Sequence, residues 1–267
     1  MKKIRLDLLL VERGMVQSRS LAQRLVMAGQ VRVNGETVLR SAAEFTPDVR
    51  IEVEHGPRYV SRGGEKLEAA LEAFKLDLHG WICADVGAST GGFTDCLLQH
   101  GAAKVYAIDV GKGILDWKLR QDGRVVVMEG TNARFLERLP EPVVLVTMDA
   151  SFISVKILLP VVKDWFSASA AQGVAGSLIT LVKPQFEAGR GQVGRGKGVI
   201  RDPAIHRQVL LDVLGFACQE GFALCGLVRS PLTGPKGNAE FLAWLEYPGG
   251  QSLPLDEMVD SAVPVAG

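Results

Sequence analysis

Cysteine is scarce in this chain, and its few copies are not spaced as partners. Cys83, Cys96, Cys218 and Cys225 show no C-x-x-C spacing and fall inside expected elements. Buried reduced thiols are therefore expected, and a disulfide framework is not. No grouping of residues suggests a metal site. Long hydrophobic runs are also missing: the longest, such as Pro142 to Met148 and Ser177 to Val182, are strand-length and far short of a bilayer span. Lys2-Lys3 is followed by Arg5 and Asp7 before an apolar stretch can develop, which speaks against a secretory signal and makes the cytoplasm the expected compartment. There is no excess of one charge, since 30 basic and 30 acidic residues cancel. Neutrality counts against a nucleic-acid binder unless the charge is unevenly spread. No internal repeat is present. At 267 residues with 47% hydrophobic content, the chain has material for one large or two modest domains with real cores.

The charge is in fact uneven. Residues 1–30 carry Lys2, Lys3, Arg5, Arg13, Arg19 and Arg24 against Asp7 and Glu12, about +4 in all. Beyond Glu240 come Glu246, Asp256, Glu257 and Asp260 with no base.

One stretch organises the rest: Asp85-Val86-Gly87-Ala88-Ser89-Thr90-Gly91-Gly92-Phe93-Thr94. An apolar run leads into it and a helical pattern closed by Gly101 follows, so it reads as strand, tight glycine turn and helix. Glycine suits such a corner because a Cβ would hold a ligand away from the backbone and because the turn calls for positive φ. Asp109 ends the next apolar run, where a carboxylate can take the two hydroxyls of a ribose. The loop lacks the Gly-Lys-Ser/Thr of a triphosphate cradle, and Gly87, Gly91 and Gly92 do not have the G-x-G-x-x-G spacing of dinucleotide folds. Asp85 would repel a pyrophosphate but suits a sulfonium cofactor that carries an amino group. S-adenosylmethionine therefore fits better than NAD, with a purely structural corner as the bland alternative.

In chain order, residues 5–14 form a short helix with Leu6, Leu9 and Leu10 on one face and Gly14 as its stop. A second helix starts on Ser18, has an apolar face of Leu21, Leu25 and Ala28 with Ala22 and Val26, and ends at Gly29. Val31 to Val38 alternates around an Asn34-Gly35 hairpin turn. Arg19 and Arg24 fall on the polar side of the second helix, either as phosphate grips or as an ordinary solvated face. A helix over Glu65 to Lys75 buries Leu67, Ala70, Leu71 and Phe74. Strands are then expected at 81–86, 105–109, 125–128, 143–149, 178–183, 224–229 and 241–247, the last two able to pair as an antiparallel edge. With the intervening helices they make a seven-stranded, doubly wound, Rossmann-like α/β sheet. Pro184 to Arg201 is a glycine-rich basic loop whose Arg190, Arg195, Lys197 and Arg201 would clamp a polyanion, unless it is only a surface loop. Ligands of such sheets bind beyond the carboxyl ends of the strands, where Asp149 and Lys183 stand. Desolvation at a strand end favours a neutral lysine amine, and an adjacent carboxylate opposes that.

The segments Arg5-Leu6-Asp7, Ser18-Arg19-Ser20 and Gly29-x-Val31-x-Val33-Asn34-Gly35 resemble the small α+β RNA-binding domain first described in the fourth ribosomal small-subunit protein. The resemblance covers roughly residues 4–50 and implies a basic platform for structured RNA. Lys66 in Gly63-Gly64-Glu65-Lys66-Leu67, Asp149 in Met148-Asp149-Ala150-Ser151-Phe152, Lys183 in Leu181-Val182-Lys183-Pro184 and Glu240 in Asn238-Ala239-Glu240-Phe241 resemble the Lys-Asp-Lys-Glu tetrad of FtsJ/RrmJ-type ribose 2′-O-methyltransferases. The two halves together resemble the TlyA family, also called hemolysin A, whose members methylate cytidine 2′-hydroxyls in ribosomal RNA. The resemblance implies that Lys66, Asp149, Lys183 and Glu240 are catalytic. It places Gly87, Ser89, Thr90, Gly91 and Gly92 against the methionine part of S-adenosylmethionine, Asp109 against its ribose and Asn132 against adenine, although Asn132 would serve equally as a helix cap, and Asp85 and Phe93 are further cofactor-binding candidates. Arg5, Arg19, Arg24, Arg62, Arg190, Arg195 and Lys197 are the candidate contacts to ribosomal RNA or ribosomal subunits. The implied division is an RNA-binding domain over 1–56, a linker over 57–63, a methyltransferase domain over 64–247 and a mobile tail over 248–267. Two other classes stay open at this point: a membrane-active cytolysin, for which the sequence has no span and no long amphipathic basic helix, and a catalytically idle RNA-binding assembly factor. The modified nucleotide, the subunit and the oligomeric state are not readable from the chain.

Overall fold

The computed structural model describes residues 3–54, 56–166, 175–189 and 198–263. The chain divides into two compact units, Met1–Arg58 and Tyr59–Gly267.

Short helices need a cap and a stop, and the first unit supplies both. Helix α1 (Leu6–Glu12) is followed by Gly14 at φ +66°, and α2 (Arg19–Met27) begins on Ser18, whose Oγ accepts from the Leu21 amide at 3.3 Å. Leu6, Leu9 and Leu10 of α1 and Ala22 and Val26 of α2 pack on Val31, Val33 and Ile51. Ala28, expected on the apolar face, is exposed, because α2 ends at Met27 and Ala28 is already its C-terminal cap. Five short strands complete the unit: β1 (Ile4–Arg5), β2 (Val31–Val33), β3 (Glu36–Thr37), β4 (Glu44–Phe45) and β5 (Ile51–Val53). β2 turns into β3 through Asn34 and Gly35 at φ +53° and +85°, the pair of left-handed residues that a two-residue hairpin requires. β5 flanks the other side of β2, and β1 pairs with β4.

The second unit is built on strand alternation. Its strands are β6 (Ile82–Val86), β7 (Lys104–Asp109), β8 (Val125–Glu129), β9 (Leu145–Met148), β10 (Gly176–Val182), β11 (Ala223–Arg229) and β12 (Phe241–Tyr247). Its helices are α3 (Gly63–Phe74), α4 (Gly92–Gln99), α5 (Trp117–Arg120), α6 (Val155–Trp165), α7 (Pro184–Glu187), α8 (Pro203–Gln219) and α9 (Leu255–Ala262). Successive strand residues point to opposite faces. Cys83, Val105, Ala107, Leu145, Ile179 and Leu181 pack under α3 and α4, while Ala84, Val86, Tyr106, Ile108, Val146, Met148 and Leu178 pack under α6, α8 and α9. Burial on both faces is why these strands read as nearly unbroken apolar runs.

The sheet order is β11-β12-β10-β9-β6-β7-β8. β6 to β10 run parallel to one another, and β12 is antiparallel to both β10 and β11, so the expected antiparallel pair is present with β11 at the edge. From β6 the chain builds outward through β7 and β8, then returns to lay β9 on the other side of β6. The carboxyl ends of β6 and β9 therefore flank a topological switch point, the place where an open α/β sheet has a crevice.

Two expectations need correction. The linker over 57–63 does not hold as a free connector: Tyr59 is 2% exposed and α3 already begins at Gly63. Tyr59 packs so tightly on Gly64 that a Cβ there would come within 2.2 Å of its ring. The tail is not structureless either. Leu255, Met258, Val259 and Ala262 have helical spacing, hidden in a stretch rich in Gly, Pro and Ser, and α9 buries Val259 and Ala262 while Arg207 pairs with Asp256 at 2.8 Å and Asp260 at 2.6 Å. Ending the chain after Pro254 is expected to lower the unfolding free energy by roughly 3 kcal/mol or more, from the lost burial of Val259 and Val263. A urea midpoint unchanged by that truncation would show that α9 adds nothing.

Candidate active site

The glycine corner follows β6 with Gly87 at φ +83°, Ser89 at φ +52° and Gly91 at φ +97°, and Gly92 opens α4. Positive φ is thus required, but the space is taken by protein rather than reserved for a ligand. A Cβ on Gly87 would lie 2.8 Å from the Asp149 carbonyl oxygen, on Gly91 2.2 Å from a Leu119 methyl, and on Gly92 2.3 Å from Ser61 Oγ. The corner is glycine because neighbouring segments close on it.

Asp85 also differs from expectation. It is fully buried, with Oδ2 accepting from Thr94 Oγ1 at 2.7 Å and Oδ1 from Thr147 Oγ1 at 3.1 Å, and it lines neither cavity described below. An apolar run ending in a carboxylate does not reveal which way the carboxylate turns. Burial pushes the Asp85 carboxyl up to about 7, the Asp149 carboxylate adds to the rise, and the two hydroxyl bonds resist it.

Asp109, at the tip of β7, accepts from the Ser89 amide at 2.8 Å and the Gly111 amide at 2.7 Å. Asn132 accepts from the Arg134 amide at 3.1 Å and caps the short turn Ala133–Phe135. Glu129, at the tip of β8, was not anticipated. Its carboxylate takes the amides of Gly113, Ile114 and Leu115 at 2.8, 2.9 and 3.0 Å together with the Arg120 guanidinium, which with these amides holds it well below the usual carboxylate range. It thereby shapes the segment that brings Leu115 and Leu119 onto Gly91. No local pattern announces an acceptor of this kind.

Two cavities meet at the switch point. The first, about 560 Å³, is lined by Gly87, Ser89, Asp109 and Asn132 over an apolar wall that includes Val86, Ile108 and Leu158. The second, about 400 Å³, is lined by Thr90, Gly92 and Phe93 from the corner and by Lys66, Asp149, Lys183 and Glu240. Gly87, Ser89, Asp149, Ser151 and Phe152 border both. Gly91 borders neither, and Phe93 is otherwise sunk in the core.

The four expected side chains thus share one cavity although they come from α3, the end of β9, the end of β10 and the entry to β12. Lys66 Nζ donates to Glu240 Oε2 at 2.6 Å, and Lys183 Nζ lies 2.6 Å from Asp149 Oδ1 while donating to Ser151 Oγ at 2.9 Å. Glu240 is 1% exposed, and its Oε1 has no partner among the described residues. Charges removed from water this far persist only when paired. Three neighbours were missed by sequence reading: Ser151, Phe152 and Phe186. Phe152 is 90% exposed at φ +63° with its ring centroid 5.0 Å from that of Phe186. A left-handed aromatic residue costs roughly 1–3 kcal/mol and nothing in the sequence signals it.

The candidate RNA contacts fall into separate groups. In the first unit, Arg5 and Arg19 are both held by the buried Asp7, at 2.9 Å and 3.1 Å, and Arg24 is exposed. Arg5, with Gln23 and Arg19, keeps the Asp7 carboxyl well below the ordinary aspartate range. In the second unit, Arg62 is exposed at the rim of the second cavity, and Arg201 is exposed. Arg190, Arg195 and Lys197 lie outside the described residues. Among the described residues there is no cluster of His, Cys, Asp and Glu fit to hold a metal ion, and no helix long and apolar enough to cross a membrane.

A doubly wound sheet with a glycine corner at its switch point and a lysine–carboxylate cavity beside it defines a Rossmann-like methyltransferase, here preceded by a small α+β domain. Residues 59–247 match the FtsJ-like methyltransferase family and residues 4–51 match the S4 domain, and the chain belongs to the FtsJ-like methyltransferase family. It is 47% identical over 97% of its length to a Bacillus subtilis protein provisionally named rRNA methyltransferase YqxC, covering 92% of that protein. It is 42% identical over 97% of its length to the 16S/23S rRNA (cytidine-2′-O)-methyltransferase TlyA of Mycobacterium tuberculosis, covering 96% of it. A solved structure of a Streptococcus thermophilus protein provisionally named a hemolysin superposes with a TM-score of 0.69 at 42% identity, covering 98% of this chain and 96% of that one.

The buried Asp85 yields a signed pH effect. Its folded pKa lies above the unfolded value of about 3.9, so its contribution to stability is lost as pH rises from there through about 7. Asp85→Asn is expected to remove that component, so that the wild-type-minus-variant unfolding free energy falls across this window. Denaturant titrations at several pH values check it, and a flat difference would mean that the carboxyl ionises as in water.

Proposed function

We propose that this protein methylates the ribose 2′-hydroxyl of a cytidine in ribosomal RNA, with S-adenosylmethionine as donor. The observation that carries this reading is the convergence of Lys66, Asp149, Lys183 and Glu240 on one cavity that abuts a second, nucleoside-sized one. The similarity to TlyA of M. tuberculosis over nearly the whole chain supports the substrate class.

The first cavity fits the cofactor. Its apolar wall suits a purine ring, Asn132 stands where it can meet the ring edge, and the Asp109 carboxylate at the end of β7 is placed to accept from ribose hydroxyls. When bound, S-adenosylmethionine supplies an electrophilic methyl group. The chain then has two tasks, alignment and management of one proton. Alignment of the reactants is worth up to roughly 7–11 kcal/mol of the barrier. Lys183, held between Asp149 and Ser151, is the group that meets the substrate hydroxyl. As a neutral amine it takes the hydroxyl proton, and as an ammonium it neutralises the alkoxide that develops while the Asp149 carboxylate or water takes that proton, two roles that a pH–rate profile distinguishes. Lys66 fixes Glu240, and the two complete the hydrogen-bonding frame of the second cavity. In the S4 domain, Arg5 and Arg19, both held by Asp7, and the exposed Arg24 serve as phosphate contacts.

Lys183→Ala is expected to lower kcat on the order of a hundred- to ten-thousand-fold with RNA affinity unchanged, measured as tritiated methyl transfer to ribosomal subunits. Loss of RNA binding instead would assign the lysine to the wrong step. Asp109→Ala should weaken cofactor binding by calorimetry by about tenfold or more. Replacing Arg19 and Arg24 together by Ala should reduce the slope of log affinity against log salt by roughly 1.4–1.8. The decisive test is a map of 2′-O-methyl marks on ribosomal RNA from cells with and without the protein: a cytidine mark that vanishes supports the assignment, and identical maps would sink it.

A further inference from the structure

The pairing of Asp149 with Lys183 is not explained by the strands that carry them. In the parallel ladder of β9 and β10 the last paired residues are Met148 and Thr180, so Asp149 is one step beyond the ladder and Lys183 three. Their contact depends on how the two following loops bend toward each other. One runs from Asp149 to Ser154 and contains the left-handed Phe152. The other is the single turn α7, started by Pro184.

Glu187, in the last position of α7, joins these loops. Its Oε2 accepts from Ser154 Oγ at 2.6 Å and its Oε1 from the Val155 amide at 2.7 Å. Both oxygens of one carboxylate are thus spent on the far end of the loop that begins at Asp149. Between the two ends, the Phe152 ring rests on Phe186, and Lys183 Nζ reaches Ser151 at 2.9 Å. The loop is therefore stapled to the β10 side near its start, at its middle and at its end, and Glu187 is the only charged group of α7 in the stapling. A carboxylate with two short bonds to one segment transmits position well, because moving it would strand an amide and a hydroxyl at a helix N-terminus without acceptors.

Resting on the methyltransferase reading above, we infer that Glu187 is a positioning residue for methyl transfer: by holding Ser154 and Val155 it keeps the Asp149 loop in register with Lys183. It touches neither reactant and acts through the geometry of the Asp149–Lys183 pair. Since a misplacement of about 1 Å at a reacting group costs on the order of a hundredfold in rate, the effect should fall on kcat.

The test compares Glu187→Gln and Glu187→Ala with wild type, using ribosomal subunits from cells that lack the protein as substrate, well below each variant's melting temperature. The expected result is a kcat lower by at least about tenfold in Glu187→Gln and by more in Glu187→Ala, with KM and the calorimetric cofactor Kd within about twofold of wild type. Crystal structures of the variants should show Lys183 Nζ moved beyond about 4 Å from Asp149, outside ion-pair reach. A residue that only caps α6 would lower the melting temperature and leave the kcat of the folded enzyme unchanged. That result, a kcat loss matched by an equal loss of cofactor affinity, or an unmoved ion pair would each overturn the inference. If wild-type protein left the subunits unmethylated, the functional reading would fail, and the crystallographic comparison would still decide the role of Glu187.

Discussion

The backbones of Gly87 and Asp149 come together at the switch point with no room for a side chain between them, and most of the second unit's chemistry depends on that closeness. A Cβ on Gly87 would press on the Asp149 carbonyl, so the corner after β6 and the loop after β9 form one seam. The two cavities lie on either side of it and share its residues. The seam is rigid because each half is anchored in a buried central strand. It therefore sets the separation between what occupies one cavity and what occupies the other, and in a group transfer between two bound molecules that separation matters more than any single contact.

Around the seam the polar groups are arranged as two crossed lysine–carboxylate pairs. One pair spans most of the second unit, Lys66 with Glu240, and the other joins the ends of two successive strands, Asp149 with Lys183. Pairing lets four ionic groups stay in a half-enclosed space where any one alone would be costly. It also leaves Glu240 Oε1 without a partner among the described residues, buried against Gly234. A site of this design needs little rearrangement of charge to accept a polar group, because its ionic groups are already balanced in pairs.

Much of the scaffold was legible in the sequence because its causes are local or periodic. Apolar runs of strand length announced β6 to β12, Ser18 and Gly29 bounded α2, and Asn34-Gly35 marked a hairpin. The acid-tipped strands and the glycine corner were legible as places. The convergence of Lys66, Asp149, Lys183 and Glu240 was reached only through family resemblance, since nothing local to Lys66 or Glu240 distinguishes either from a surface charge. What stayed hidden depends on orientation and long-range packing. Asp85 looked like a ligand contact and is a buried brace. The glycines of the corner also make room for Asp149, Leu119 and Ser61, which no local pattern announced. Glu129 gathers three amides, and Glu187 one amide and one hydroxyl, from segments that the chain reaches by different routes. The helix α9 was masked by composition, because Gly, Pro and Ser before it outweighed four well-spaced apolar residues.

The position of β12 has one more consequence. It is the second-to-last element of the chain, yet it lies inside the sheet and carries Glu240 at its entrance. The glycine corner and its first cavity are complete in sequence long before that strand exists. The first cavity is lined by residues no later than Leu158, whereas the counter-charge of Lys66 comes from far later in the chain. The Lys66–Glu240 ion pair therefore ties the first helix of the second unit to one of its last strands.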